Sequence, residues 1–161
     1  MKKFKVILGA AVIVAACLVV FSFYNKEEAN VPAKPIILSA DIETEKPFKL
    51  QIYWTEDDFD NFHGQQSVFR DVEIGPSHIE QEIQADMIHK IRLDFGSNPG
   101  KVSIKNIQLN GVSSVSLDVN RFGYFSSDIQ NHEVVDDALI IESDQSDPYA
   151  IYGPILDLSA I

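Results

Sequence analysis

Between Val6 and Tyr24 only Gly9 and Ser22 interrupt a run of strongly apolar or small side chains. At about 1.5 Å per residue, a helix of that length covers about 28 Å, close to the hydrocarbon thickness of a bilayer. In lipid such a segment satisfies its backbone hydrogen bonds internally only as a helix. Lys2, Lys3 and Lys5 precede the run, whereas Lys26, Glu27 and Glu28 follow it. That asymmetry predicts a cytoplasmic N-terminus and export of everything from about Glu28 onward, to the periplasm or the cell surface. The chain therefore reads as an N-terminal membrane anchor over residues 1–26, a linker over 27–35 and an extracytoplasmic domain over 36–161.

Three fates of the first segment remain open. A cleaved secretory signal has a shorter apolar core, followed by a small-x-small site. Here the best such site, near Ala15–Ala16, is followed by Leu18, Val19, Val20, Phe21 and Phe23. Val14-Ala15-Ala16-Cys17 resembles the lipobox of bacterial lipoproteins, with Cys17 as the acylated residue, but a polar tether does not follow it. The length of the apolar run favours an uncleaved, single-pass signal-anchor. All three fates place the same domain on the same side of the membrane.

Past the linker, about 125 residues suffice for one domain with a real core and are too few for two. Residues 1–28 hold four lysines and two glutamates, a charge of +2, so the remainder carries −13 of a whole-chain total of −11. Repulsion disfavours polyanions, nucleic acid and teichoic acid among them. Cys17 is the only cysteine. An intramolecular disulfide is thereby excluded, and the exported fold must stand on its apolar core.

That core is written in period two. The linker residues Glu27 to Pro35 are small, polar and twice interrupted by proline. Phe48, Leu50, Ile52 and Trp54 then alternate with Lys49, Gln51 and Tyr53. Val68, Val72 and Ile74 alternate up to the turn signal Gly75-Pro76, and Ile91, Leu93 and Phe95 alternate with Arg92 and Asp94. Val102 and Ile104 share a face from which Ile107 and Leu109 are displaced by one residue, which predicts a bulge at Lys105–Asn106. Asn110-Gly111 signals a hairpin. Further strands are expected at Val115–Val119, at Ala138–Ile141 and from Tyr149 to Leu158, the last interrupted at Gly153-Pro154. One or two helical turns are expected between His78 and Met87. Eight or so short strands with turns between them predict an all-β fold, an antiparallel β-sandwich of jelly-roll or galactose-binding-like type.

Catalytic signatures are scarce. His63, His78, His89 and His132 lack the spacing that puts two imidazoles on one metal. A Gly-x-Ser-x-Gly elbow and a phosphate-binding glycine loop are both missing, and acid pairs arise by chance among so many carboxylates. A small hydrolase is the weakest reading, and no enzymatic activity is expected. In Glu56-Asp57-Asp58-Phe59-Asp60, hard oxygen ligands at Asp57, Asp58 and Asp60 are a candidate calcium site, although the loop lacks the glycine and distal glutamate of an EF-hand. A solvated acidic loop explains the same residues. Aromatic rings grip sugars by stacking on their apolar faces. Tyr53 lies on the phase opposite Leu50 and Ile52, and Phe59, Phe62, Tyr124 and Phe125 are assigned to loops, so these five are the ligand-binding candidates. Arg92 and Asp94 share a strand face, either as a pair beneath a covering layer or as two solvated charges.

Three segments together resemble a β-sandwich accessory domain of bacterial surface-polysaccharide proteins. They are Leu50-Gln51-Ile52-Tyr53-Trp54 with Gln65-Gln66-Ser67-Val68, Ile91-Arg92-Leu93-Asp94-Phe95 with Pro99 to Ile104, and Ser146-Asp147-Pro148-Tyr149-Ala150-Ile151. In that family the domain is attached to glycosyltransferases or to polytopic envelope membrane proteins. The resemblance covers residues 48–158, and Phe95 stands where the family has proline. It implies an accessory role in polysaccharide biosynthesis at the cell envelope. Two readings follow: a membrane-tethered carbohydrate-binding module that binds or organises envelope glycans, or a protein-interaction module that docks on a membrane glycosyltransferase.

Overall fold

A computed structural model describes residues 35–58 and 61–155. The expected anchor, most of the linker, Cys17, Phe59 and Asp60 lie outside the described residues. Among those described, no helix is long and apolar enough to cross a membrane.

The described chain is all-β, with eleven strands in two antiparallel sheets and a single 3-10 turn. In chain order the strands are β1 (Ile36–Thr44), β2 (Phe48–Thr55), β3 (Ser67–Val72), β4 (Gly75–Ile83), β5 (Lys90–Asp94), β6 (Gly100–Asn110), β7 (Ser114–Ser116), β8 (Phe122–Phe125), β9 (Asn131–Val135), β10 (Ala138–Ser143) and β11 (Tyr149–Tyr152). One sheet runs β4-β1-β6-β10-β9, with β7 on the C-terminal part of β6; the other runs β3-β2-β5-β11-β8.

The period-two faces explain why the sheets share one core. Leu50, Ile52, Ile91, Leu93 and Phe95 of the five-stranded sheet are at most 1 % exposed, as are Leu38, Ile104, Leu109, Leu139 and Ile141 of the other. All belong to one hydrophobic cluster. Burying each such side chain contributes about 1.5–3 kcal/mol relative to leaving it in water, so these facing rows hold the sandwich-like fold together.

The expected bulge is present. Ser39 pairs with Gln108 and Asp41 with Lys105, so β6 fits one more residue than β1 between those pairs. Asn106 takes up the excess at φ 53°, a left-handed conformation that asparagine tolerates better than most residues. Its insertion shifts the inward phase from Val102 and Ile104 to Ile107 and Leu109, all of which are buried.

Other expectations are corrected. Of the segment read as helical turns, His78 to Ile83 is the second half of β4, which pairs with β1 from Ile36–Ile83 to Thr44–Gly75, and residues 84–87 are neither helix nor strand. Ile79 and Ile83 are four apart, a spacing that aligns two side chains on a helix and on a strand alike, and pairing to β1 selects the strand. The strand expected through Ile74 ends at Val72, and Ile74 is 66 % exposed. That expected over Val115–Val119 stops at Ser116, because Asp118 accepts the Asn120 backbone N–H at 2.9 Å and caps the 3-10 turn Val119–Arg121. β11 ends at Tyr152, just before the cis Gly153–Pro154 bond. β1, β8 and β9 are additional to the expected strands, and β9 is exposed along its whole length.

Candidate functional site

The outer faces of the two sheets differ in chemistry. On the six-stranded sheet, the residues that alternate with the core are mainly acidic or polar. Asp41, Glu43, Glu80 and Glu82 lie on β1 and β4, and Glu133 and Glu142 on β9 and β10. On the five-stranded sheet they include the rings of Tyr53, Phe69, Tyr149 and Tyr124, three of them arranged around one guanidinium.

Arg92 sits at the centre of that second face. Cross-strand register places Tyr53 of β2 beside it on one side and Ile151 of β11 on the other. Two residues along, Asp94 lies between Gln51 and Tyr149. Arg92 Nε and Nη2 donate to Asp94 Oδ1 and Oδ2 at 2.6 and 2.5 Å, a bidentate pair. The Arg92 Cζ lies 4.7 Å from the Tyr53 ring centre and 4.2 Å from that of Tyr149, so the guanidinium is held between two rings. Phe62, from the loop after β2, lies 5.9 Å away and meets the Tyr53 ring edge-on at 6.5 Å.

The aromatic row continues to the sheet edge. Tyr124 of β8 is opposite Ile151, and its ring stacks on Tyr149 at 5.8 Å and 24°. Tyr124 is 52 % exposed. Toward the other edge, Gln51 donates to Ser67 Oγ at 3.0 Å, and the exposed Phe69 is paired with Gln51. Lys49 Nζ lies 5.5 Å above the Phe69 ring.

Burial and pairing shift the ionisable groups here. Burial pushes the Asp94 carboxyl up, while the hydrogen bonds from Arg92 pull it down. Those same bonds hold the Arg92 guanidinium above its ordinary value. The hydrogen bond with the Tyr124 hydroxyl raises the Tyr149 phenol, and burial raises that of Tyr53. The site thus presents phenols around a bidentate, internally compensated Arg92–Asp94 pair.

Of the expected ligand-binding residues, Tyr53, Phe62 and Tyr124 come together on this face. Phe125 does not join them. It belongs to β8 rather than to a loop, and it pairs with Ala150 on the inward phase. There it packs against the core and stacks on His132 of β9 at 3.8 Å. Phe59 lies outside the described residues. Tyr149 is the member of the site that alternation alone did not single out; the Arg92–Asp94 pair, expected on one strand face as either paired or solvated, is the covered pair. The signal was the position of Tyr149 on the phase opposite Ala150 and Tyr152.

The acidic loop is organised by basic side chains of the protein itself. Asp58 Oδ1 lies 3.1 Å from His89 Nε2 and 3.1 Å from Lys90 Nζ, and Lys90 also donates to the Asp58 carbonyl at 2.7 Å. These partners hold the Asp58 carboxyl below its ordinary value, the Lys90 hydrogen bond most of all. The Asp57 carbonyl accepts the Thr55 hydroxyl, and Asp60 lies outside the described residues. Among the described residues, no group of three or more His, Cys, Asp or Glu side chains is placed to hold a metal ion.

A second polar cluster marks the bulge. Asn106 Nδ2 donates to Asp41 Oδ2 at 2.7 Å, and His78 Nδ1 lies 2.7 Å from Asp41 Oδ1. Asp41 and His78, together with Glu43, Ser77, Ser103 and Lys105, line a groove of about 380 Å³. The Asn106 hydrogen bond, then that of His78, lowers the Asp41 carboxyl.

Compared with known proteins, the chain matches no family model, no curated protein and no solved structure.

Proposed function

We propose that this domain is a non-catalytic glycan-binding module whose ligand lies on the outer face of the five-stranded sheet. One observation carries the reading: Tyr53, Tyr149 and Tyr124, on β2, β11 and β8, form one aromatic row around Arg92 on a single sheet face. Partly exposed rings beside fixed hydrogen-bonding groups suit sugars, which are apolar on their ring faces and polar at their edges. A jelly-roll or galactose-binding-like topology and a membrane tether through residues 1–26 complete the proposal. In it the domain stands outside the cytoplasmic membrane and organises envelope glycans during polysaccharide assembly.

β9 favours a second reading. It is an edge strand, with Val134 40 % and Val135 43 % exposed, and an exposed edge of this kind accepts a strand from another protein. A membrane enzyme of polysaccharide assembly would be the partner.

The test is a glycan array probed with the full-length protein and with its Tyr149→Ala and Tyr124→Ala variants. Binding that both variants lose supports the module. Binding that both retain, or no binding beside a membrane enzyme crosslinked through β9, favours the second reading.

A further inference from the structure

We infer that the ligand of this face is an uncharged glycan chain running across the strands, with Arg92 as the specificity-determining hydrogen-bond donor; the inference rests on the glycan-binding reading above. Charge is the first argument. β2 and β5 place Lys49, Lys90 and Arg92 on this face, and each lies near a carboxylate. Lys49 is 3.9 Å from Asp71, Lys90 is 3.1 Å from Asp58, and Arg92 is bidentate to Asp94. Among the described residues the face therefore has no surplus cation to meet a uronate, sulfate or phosphate. The remainder of the chain repels a polyanion, since the net charge is −11.

The second argument is the state of Arg92. Asp94 uses its Nε and Nη2, which leaves the two N–H groups of Nη1 outside the ion pair. The side chain is 22 % exposed, and its plane is fixed between the rings of Tyr53 and Tyr149. A donor already immobilised loses little rotamer freedom when a ligand arrives. It offers directed hydrogen bonds to hydroxyl and ring oxygens without a net charge, because Asp94 cancels its own. The outward edges of the two flanking rings and the exposed Tyr124 ring beside them give a sugar apolar surface within reach of those bonds.

The third argument is extent. Tyr53, Arg92, Tyr149 and Tyr124 occupy four consecutive strands, β2, β5, β11 and β8. At the usual spacing the row crosses about 14 Å of sheet, which is longer than one pyranose ring. It ends at Tyr124 on an edge strand, 52 % exposed. A row of this length that reaches an open edge suits the interior of a chain rather than a single terminal sugar.

The experiment is calorimetric titration of the full-length protein with two sets of probes. One set comprises neutral oligosaccharides of increasing length from cellulose, mannan, galactan and chitin. The other comprises oligogalacturonate and heparin. The expected result is binding to at least one neutral series, tighter with length until the row is filled and unchanged between low and high salt. Arg92→Lys retains a charge for Asp94 but loses the planar fork, and it should weaken that binding about tenfold with the melting temperature monitored in parallel. Tightest binding to the acidic probes, falling as salt rises, would overturn the inference and leave glycan binding intact. Binding to no probe overturns both. An unchanged affinity in Arg92→Lys removes Arg92 from its role, and the salt and charge dependence of the wild-type protein decides the ligand class even if that variant does not fold.

Discussion

Arg92 and Asp94, two positions apart on β5, form a bidentate ion pair on the face of the strand that points away from the core. An i,i+2 pair on a flat strand is normally left to solvent. Here Asp94 is only 6 % exposed, because aromatic side chains from β2 and β11 close over the pair. Breaking it should be costly. Removing one partner of a fully buried pair costs about 3–5 kcal/mol, and partial exposure of Arg92 puts Arg92→Ala toward the lower end of that range. Arg92→Ala combined with Asp94→Ala should recover part of the loss, since no unpaired carboxylate remains. Chemical denaturation measures both. A loss below about 1 kcal/mol for the single variant would mean that the pair is solvated and contributes like a surface bridge.

The opposite face of the same strand gives the complementary case. Leu93 is 1 % exposed and packs in the shared core, so Leu93→Ala should cost about 2–5 kcal/mol. Both substitutions are therefore destabilising, for different reasons. The Leu93→Ala cavity lowers stability at every pH. The Arg92→Ala cost should shrink as the pH falls, because burial already raises the Asp94 carboxyl and protonation neutralises the orphaned charge. Equal pH dependence of the two variants would contradict this assignment.

How much of this was legible in the chain follows from the range of each interaction. The inward phases of β2 and β5 are local alternations, and they are correct residue by residue from Phe48 to Trp54 and from Ile91 to Phe95. The bulge at Asn106 was also local, since a slip in phase is visible without knowing the partner strand. The placing of Tyr149 opposite Asp94 is not local, because it depends on how β11 registers against β5. For the same reason the choice between paired and solvated charges at Arg92 stayed open until the covering rings were in place. Tyr124 and Phe125, both expected in a loop, lie on β8, which is only four residues long, too short for its alternation to stand out; the inward phase of Phe125 appears only through pairing with Ala150.

Tyr124 separates binding from stability. Its ring stacks on Tyr149 but is 52 % exposed, so Tyr124→Ala should cost less than about 1.5 kcal/mol of stability. If the aromatic row grips a ligand, the same change should weaken binding about tenfold, the scale of one well-placed interface aromatic. Thermal melts and titration against the ligand found by array give the two numbers. A variant with full affinity would confine the site to Tyr53, Arg92 and Tyr149.

Asn106 carries two effects that substitution can separate. At φ 53° a residue with a Cβ is strained, so Asn106→Gly should be more stable than Asn106→Ala by about 1 kcal/mol. Both variants lose the Nδ2 donor to Asp41 Oδ2, the largest cause of the lowered Asp41 carboxyl. A carboxyl whose folded-state pKa lies below its unfolded value contributes stability above the unfolded value, and that contribution is lost as the pH falls through the folded one. Each variant should therefore raise the Asp41 pKa toward its ordinary value and flatten the acid limb of the stability curve. Carboxyl NMR titration reads the first effect and denaturation across acidic pH the second. Equal stability of the glycine and alanine variants would count against left-handed strain at the bulge, whereas an unmoved Asp41 titration would leave His78 as the group that holds its carboxylate.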